Sequence, residues 1–403
     1  METIIQRGSM RVPINTWLPE TEIEPGAMEQ LTNAASHPEV SLRVAAMPDT
    51  HVGFGVSIGC VFPTENAVLP NAVGVDIGCG MCALNTGITL DREQMDKTFW
   101  RAWSGQVNRT IPTGFNVHRH PQNLGDLDRP LRATVLQSLI QEKAAFQLGT
   151  LGGGNHFLEA QADENGLIWL MVHSGSRHTG LRIADHYNAL AIRSTEARSL
   201  AVGKDLASLP LDDQTGQDYL ADMQWATDFA LASRTQMIQG MLEQLHHVLA
   251  TTGIAVDAPA PEPMISIHHN FAALEEHDGV PVMVHRKGAT SAFAGQLGII
   301  PGSMGSPSSI VRGRGNPESL MSCSHGAGRR MSRSAARRSI DTNAFSASLA
   351  GTFSKASKGY IDEAPGAYKD IETVIARQMD LIEIVHTLTP LITVKGDSRA
   401  RED

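Results

Sequence analysis

Apolar and polar positions alternate over short stretches of this chain and recur at helical spacing over a few longer ones. Residues 43–47, 57–62, 168–173, 264–268, 281–285 and 391–395 are β-branched or apolar runs that end in polar or glycine-rich turns, which predicts six strands. Several of these runs close on a histidine: His173, His268 and His285. Ile238, Met241, Leu242, Leu245, Val248 and Leu249 recur three or four apart and predict an amphipathic helix. Further helices are predicted over 131–146, 183–200 and 371–387. Residues 206–217 and 252–263 are polar or rich in Pro and Ala and read as surface connections. Strands and helices do not alternate regularly, so the expected fold is an irregular mixed α+β one and not a doubly wound parallel sheet. Residues able to do chemistry are spread from Asp76 to His325. That spread predicts one site assembled by most of the chain, within a single composite domain over residues 1–403.

Composition narrows the class. A chain of 403 residues with 41% hydrophobic content buries a large core. The first residues lack a basic segment followed by an apolar one, and the run 167–172 is too short to span a bilayer, so a cytoplasmic protein is expected. Four cysteines are too few for a disulfide scaffold. A formal charge of −10 excludes a protein that grips nucleic acid with its whole surface, because neutralising phosphates takes clustered Lys and Arg. One local cluster exists: Arg312, Arg314, Arg329, Arg330, Arg333, Arg337 and Arg338 share a segment in which Glu318 is the only acid. It reads either as an anion contact or as a solvated basic face.

Five segments carry candidate chemistry. Asp76 and Cys79 lie three apart among glycines, a spacing at which both can face one metal ion. Cys79 with Cys82 also has the spacing of a redox dithiol or half a zinc site, although no second pair accompanies it. The segment 148–159 joins a glycine-rich turn, whose exposed backbone N–H groups suit phosphate or simply make a tight turn, to a polar trio, Asn155, His156 and Glu159, and an aromatic, Phe157. His173 leads through small residues to Arg177, and His268-His269-Asn270 and His285-Arg286-Lys287 repeat the construction of a histidine at a strand end. A lone strand-end histidine is commonly a satisfied polar group, but Asp76, Cys79, His156, His173 and His269 together supply ligands for one metal, or for two sharing a ligand. Thiolate and imidazole ligands by themselves favour zinc. His325 sits in Ser324-His325-Gly326-Ala327-Gly328, unhindered and directly before the basic cluster, as a nucleophile toward phosphorus would. Cys323 is the competing nucleophile.

These segments, together with Met47-Pro48-Asp49-Thr50-His51-Val52-Gly53 and Pro301-Gly302-Ser303-Met304-Gly305, resemble the motifs of the RtcB RNA-ligase family, in family order across nearly the whole chain. The resemblance implies an RtcB-type α+β domain with a metal and nucleotide cleft at its centre. It implies a ligase that uses GTP and manganese, two ions per site, to join RNA 3′-phosphate or 2′,3′-cyclic phosphate ends to 5′-hydroxyl ends in tRNA splicing or RNA repair. His325 then carries GMP. Cys79 bridges the two ions, with His173 and His269 on one and Asp76 and His156 on the other. Asn155 contacts phosphate; Glu159, Ser308 and Lys395 read the guanine, with Phe157 and Tyr368 against the base. Asn270, Ser303, Ala327 and Gly328 line the nucleotide pocket, and Arg177, Arg286, Lys287 and Arg329 meet RNA or phosphate. Two features depart from the pattern: a second cysteine at Cys82, read as incidental, and a continuation past Gly396. Three other readings stand beside the ligase. They are a metal-dependent phosphohydrolase that opens cyclic phosphates without ligation, an RNA-binding protein with a structural metal, and an oxidoreductase built on Cys79 and Cys82.

Overall fold

The computed structural model describes residues 1–8, 10–91, 94, 96–256 and 260–396; the continuation at 397–403 lies outside them. Two large sheets organise the chain. The first runs in the order Thr3–Ile5, Ile14–Thr16, Val44–His51, Ile58–Thr64, Val280–Lys287, Asn270–His277. The second runs Ile265–His268, Gly80–Thr89, Leu167–Ser174, Phe157–Ala162, Ile382–Val394, Ser308–Gly313, Leu297–Ile300. Pairing within both sheets is antiparallel except between Ile14–Thr16 and Val44–His51, so the expectation of mixed helix and sheet holds. All six predicted strands form, each within a residue or two at the ends that were read except the first and last. The first continues past Pro48 to His51, through a register shift against Ile58–Thr64 that absorbs the proline's missing N–H. The last begins far earlier, at Ile382.

The helix predicted around residues 238–249 is the last third of a 39-residue helix, Gln214–Thr252, about 58 Å long at 1.5 Å per residue. It ends where Gly253 takes a left-handed conformation, φ 70°. Its first half buries Tyr219, Trp225 and Phe229 against the helix Arg177–Ala197, which answers the prediction over 183–200. Its second half buries Met237, Met241 and Leu245 against the helix Lys97–Thr110 and the second sheet. Among the described residues no helix is long and apolar enough to cross a membrane.

Three expectations are corrected. Residues 131–146 are not a continuous helix but a 3-10 turn, Thr134–Leu136, a π turn, Ile140–Ala144, and a short helix, Ala145–Gln147. Ala133 takes a non-helical conformation, φ −72° and ψ 81°, where buried Asp222 accepts from the N–H groups of Arg132 (2.7 Å) and Ala133 (2.9 Å). Residues 371–387 form a helix only over Ile371–Ala376, after which the β-branched run pairs with Ser308–Gly313. Residues 206–217 are not a plain surface connection: Leu209–Pro210 pairs with Ala67–Val68, and the long helix has already begun at Gln214. The connection after Thr252 does run over the surface where it is described, with 257–259 outside the described residues.

Candidate metal centre and nucleotide cavity

The two sheets meet where the chain leaves the strand Ile265–His268 of one and enters Asn270–His277 of the other, and the residue between them is His269. Asp76 and Cys79 lie in the turn before Gly80–Thr89; His156 immediately precedes Phe157–Ala162; His173 is near the end of Leu167–Ser174. Adjacent strand ends therefore place all five side chains together. The donors of Cys79, His173 and His269 lie within 4.8 Å of one another, and so do those of Asp76, Cys79 and His156. Cys79 belongs to both trios. Its Sγ is 3.3 Å from His173 Nε2 and 3.5 Å from His156 Nε2, and His173 Nε2 is 3.3 Å from His269 Nε2. Asp76 Oδ2 is 3.0 Å from His156 Nε2.

The protonation states suit cation binding. His173 Nδ1 donates to the Asn155 carbonyl at 3.1 Å, which leaves Nε2 with its lone pair facing Cys79. Burial, helped by neighbouring imidazoles, pushes His173 and His269 well below the usual imidazole range and keeps both neutral. Burial opposes ionisation of Asp76, yet the His156 hydrogen bond and charge outweigh it and bring the carboxyl down to about 2. A thiol, a carboxylate and neutral imidazoles whose donor atoms converge in trios within 4.8 Å are the ligand types of a metal centre, so this donor set fits one. The approach is tight: a Cβ added at Gly175 would fall 2.0 Å from Asp76 Oδ1, so only glycine fits there.

His325 follows the strand Ser322–Ser324 and stacks edge-on to His269, with ring centroids 4.9 Å apart. Its Nδ1 donates to Asp49 Oδ2 at 2.6 Å and its backbone N–H donates to the same oxygen at 3.2 Å. Asp49 is wholly buried. Gly328 crosses directly over it at φ 72°, where a Cβ would sit 2.3 Å from the Asp49 carbonyl oxygen. Lys369 holds this strand by donating to the carbonyls of Thr50 (2.6 Å) and Pro48 (3.2 Å). The Asp49 bond fixes the imidazole tautomer and leaves Nε2 as the free nucleophilic atom.

A cavity of about 380 Å³ opens beside His325 and His173, within the size range of small-molecule sites. Asn155, Phe157, Glu159, Ser303, Ser308, Ala327, Gly328, Tyr368 and Lys395, all expected around a nucleotide, line it, as does Arg329. Burial pushes the Glu159 carboxyl up to about 7, against hydrogen bonds from Thr393 and Gln161. At one wall, buried Asp362 and Glu363 collect Arg329, Arg333, Arg337 and Lys395. Burial opposes ionisation of Glu363, but Lys395, Arg333 and Arg329 hold it below the usual carboxylate range. Three of the seven arginines in the basic cluster, Arg329, Arg333 and Arg337, are therefore paired with acids outside it, and the reading as a bare solvated face does not hold for these three.

Other expected residues are placed elsewhere. Asn270 does not line the cavity; its Nδ2 donates to the Asp76 carbonyl (3.1 Å) and its Oδ1 accepts from Gly288 N (3.0 Å), bracing the metal loop. Arg286 is fully buried against Glu275, Ser322 and the Leu320 carbonyl, and Lys287 donates to the carbonyls of Phe54 and Asn71; neither lines the cavity beside His325. Arg177 reaches the centre from another side, donating to the Gly114 carbonyl at 2.9 Å. Cys82 points into the core and donates to Ser266 Oγ, away from Cys79. Burial pushes the Cys323 thiol up to about 12, which disfavours it as a nucleophile. Two residues escaped sequence reasoning. Asp49 was visible only as part of a motif, and Arg234, midway along the long helix, offered no local signal.

A thiol, a carboxylate and three imidazoles thus form a group that could hold a metal ion, beside the Asp49–His325 pair and a cavity of small-molecule size. A family model described as tRNA-splicing ligase RtcB matches residues 30–142 and 125–396. The chain is 39% identical over 402 residues to the RNA-splicing ligase RtcB of Escherichia coli, covering 95% of this chain and 97% of that protein. It is 31% identical to the tRNA-splicing ligase RtcB of Archaeoglobus fulgidus, covering 93% and 92%, and 33% identical to the RNA-splicing ligase RtcB of Mycobacterium tuberculosis, covering 91% and 100%. The chain belongs to the RtcB family.

Proposed function

We propose that this protein is a GTP-dependent RNA ligase that joins a 3′-phosphate or 2′,3′-cyclic phosphate end to a 5′-hydroxyl end, in tRNA splicing or RNA repair. One observation carries this reading: His325, held through Nδ1 by buried Asp49, opens onto both the nucleotide cavity and the five-ligand cluster. His325 Nε2 attacks the α-phosphorus of GTP, the N–P bond forms, and pyrophosphate leaves with the electron pair. Asp49 keeps the ring in the reactive tautomer and offsets its positive charge. Glu159 accepts from the guanine edge, Phe157 and Tyr368 flank the base, and Asn155 contacts phosphate. An oxygen of the RNA 3′-phosphate next takes GMP from His325, and the 5′-hydroxyl then displaces GMP to seal the strand.

Cys79 would be shared by two cations, with His173 and His269 on one and Asp76 and His156 on the other. When bound, the ions clamp phosphate oxygens and offset their charge. Manganese follows from the family resemblance, where softness alone would choose zinc. The reading takes 1–403 as one composite catalytic domain acting in the cytoplasm. Incubation with manganese and GTP labelled at the α-phosphate is expected to give an acid-labile adduct in wild type and none in His325→Ala; equal labelling refutes the mechanism. A phosphohydrolase would need the five ligands but neither His325 nor a nucleotide cavity, and product analysis on paired RNA ends separates the two.

A further inference from the structure

One further trio of metal-type ligands lies apart from the cluster at Cys79. Asp163 and Glu164 occupy the turn between the strands Phe157–Ala162 and Leu167–Ser174. His386 lies in Ile382–Val394, just beyond the point where the pairing of that strand with Phe157–Ala162 stops, at Thr389 and Ala162. The donor atoms of the three residues lie within 4.8 Å of one another. Asp163 is the unusual member. Its side chain is 1% exposed, and its Oδ1 accepts from the N–H groups of Asn165 (2.8 Å) and Leu167 (3.0 Å), which fixes the carboxyl in the turn. Its Oδ2 faces His386 and has no hydrogen-bond partner among the described residues. His386 Nδ1 does not serve as one: it is 3.9 Å from that oxygen, beyond hydrogen-bond reach, and 3.3 Å from Glu164 Oε1. Glu164 Oε2 accepts from Thr387 N at 3.4 Å, so the exposed glutamate lies across the strand beside His386. An acceptor sealed from water without a donor costs free energy, and a cation held by all three side chains removes that cost.

We propose that Asp163, Glu164 and His386 bind a divalent first-row transition ion of the zinc type, at a site separate from the five-residue cluster and independent of the ligase reading. One imidazole nitrogen and two carboxylate oxygens are ligands such an ion accepts, with water in the remaining positions. Ligand bonds of about 2.0–2.2 Å put neighbouring donors of a tetrahedral ion about 3.4 Å apart. The separations of 3.3 Å and 3.9 Å at His386 approach that spacing, and exposed Glu164 and half-buried His386 have room to turn the rest of the way. The ion fastens the turn to Ile382–Val394 where the strand ladder has already ended. Glu159 and Thr393, paired farther along the same two strands, line the cavity beside His325, so the clamp holds a pair of strands that builds part of its wall.

Co²⁺ is the probe, because a cobalt–thiolate bond absorbs by charge transfer and a cobalt ion held by oxygen and imidazole lacks that band. The full chain is dialysed against low-micromolar free Co²⁺, total metal is counted by mass spectrometry, and the thiolate band reports Cys79. His386→Gln and Asp163→Asn are each expected to hold one Co²⁺ fewer per chain than wild type, with the thiolate band unchanged. Asparagine keeps the Oδ1 acceptor that the turn needs, and His386 is partly exposed, so both variants retain the fold. Wild type is also expected to show Co²⁺ quenching of Trp169, whose ring centroid is 5.5 Å from that of His386, and this component should be missing in His386→Gln. Equal Co²⁺ content in wild type and both variants overturns the proposal. So does a difference seen only at millimolar Co²⁺, which marks an adventitious surface histidine, or a thiolate band lost together with the ion, which assigns the missing metal to Cys79. If wild type shows no thiolate band, the reading of Cys79 as a ligand fails, and the difference in content still decides this site.

Discussion

Replacing Arg234 by methionine is expected to loosen the metal centre without touching any ligand. The guanidinium is fully buried and donates to the Gly78 carbonyl (2.9 Å), the Ser174 carbonyl (2.7 Å) and His268 Nδ1 (3.0 Å). Each acceptor belongs to the residue beside a proposed ligand: Cys79, His173 and His269. One side chain on the long helix thus ties three strand ends into register. A hydrogen bond from a charged donor contributes about 1.5–3 kcal/mol, so three sum to about 4.5–9 kcal/mol. Methionine also avoids the several kcal/mol that desolvating a guanidinium costs. The net destabilisation is then about 2–4 kcal/mol. Metal affinity, which depends on groups that orient ligands, is expected to fall about 10- to 100-fold. Titration with Co²⁺, followed by thiolate charge-transfer absorption, reads the affinity, and urea denaturation of the metal-free protein reads the stability. Arg234→Lys, which keeps the charge and some of the bonds, should lie between. Wild-type Co²⁺ affinity in folded Arg234→Met, whatever its stability, would refute the positioning role.

Three further outcomes are expected. Asp49→Asn should slow GMP transfer to His325 by about 10²- to 10⁴-fold while leaving the fold intact, because the amide no longer holds the imidazole tautomer or its positive charge; the rate of labelling checks this, and an unchanged rate counts against it. Glu159, pushed up to about 7 by burial, is protonated below that pH and accepts from guanine through both oxygens only when ionised; GTP affinity by calorimetry should therefore rise as pH rises through about 7, and Glu159→Gln should flatten that dependence. Cys79→Ser should weaken both metal sites together, because its Sγ belongs to both trios, whereas His269→Ala should weaken one; metal content by mass spectrometry after gel filtration distinguishes these.

The parts of this protein legible in its sequence are those set by local physics. Six short runs became strands because β-branched and apolar residues fit a buried pleat, and the candidate ligand histidines were visible because each lies at or beside a strand end. Misreadings arose where distant groups override local preference. Residues 131–146 have helical apolar spacing, but Arg132 and Ala133 are tied to Asp222, some ninety positions on, with Ala133 in a non-helical conformation. Residues 382–387 pass for the tail of a helix until Ser308–Gly313 offers a strand to pair with.

Charge shows the same limit more sharply. Arg286, Lys287, Arg329 and Arg234 are chemically alike along the chain, yet the fold gives them different work. Arg286 and Lys287 are consumed inside the first sheet, Arg329 joins a buried network at the cavity beside His325, and Arg234 braces the turns that carry the candidate ligands. What separates them is the acceptor each one meets: Glu275 across a strand pair, the carbonyls of Phe54 and Asn71, Glu363 from a later turn, or three strand-end groups. A buried cation must find such acceptors or be expelled, so a positive residue predicts only that acceptors exist and not where they lie. The five candidate ligands, which the fold brings together, escape this ambiguity because a metal-binding cluster has to be built from residue types rare enough to be conspicuous. Their recognition from sequence and the invisibility of Arg234, which aligns them, follow from one cause. Metal ligands are specified by chemistry, and the residues that position them are specified by geometry alone.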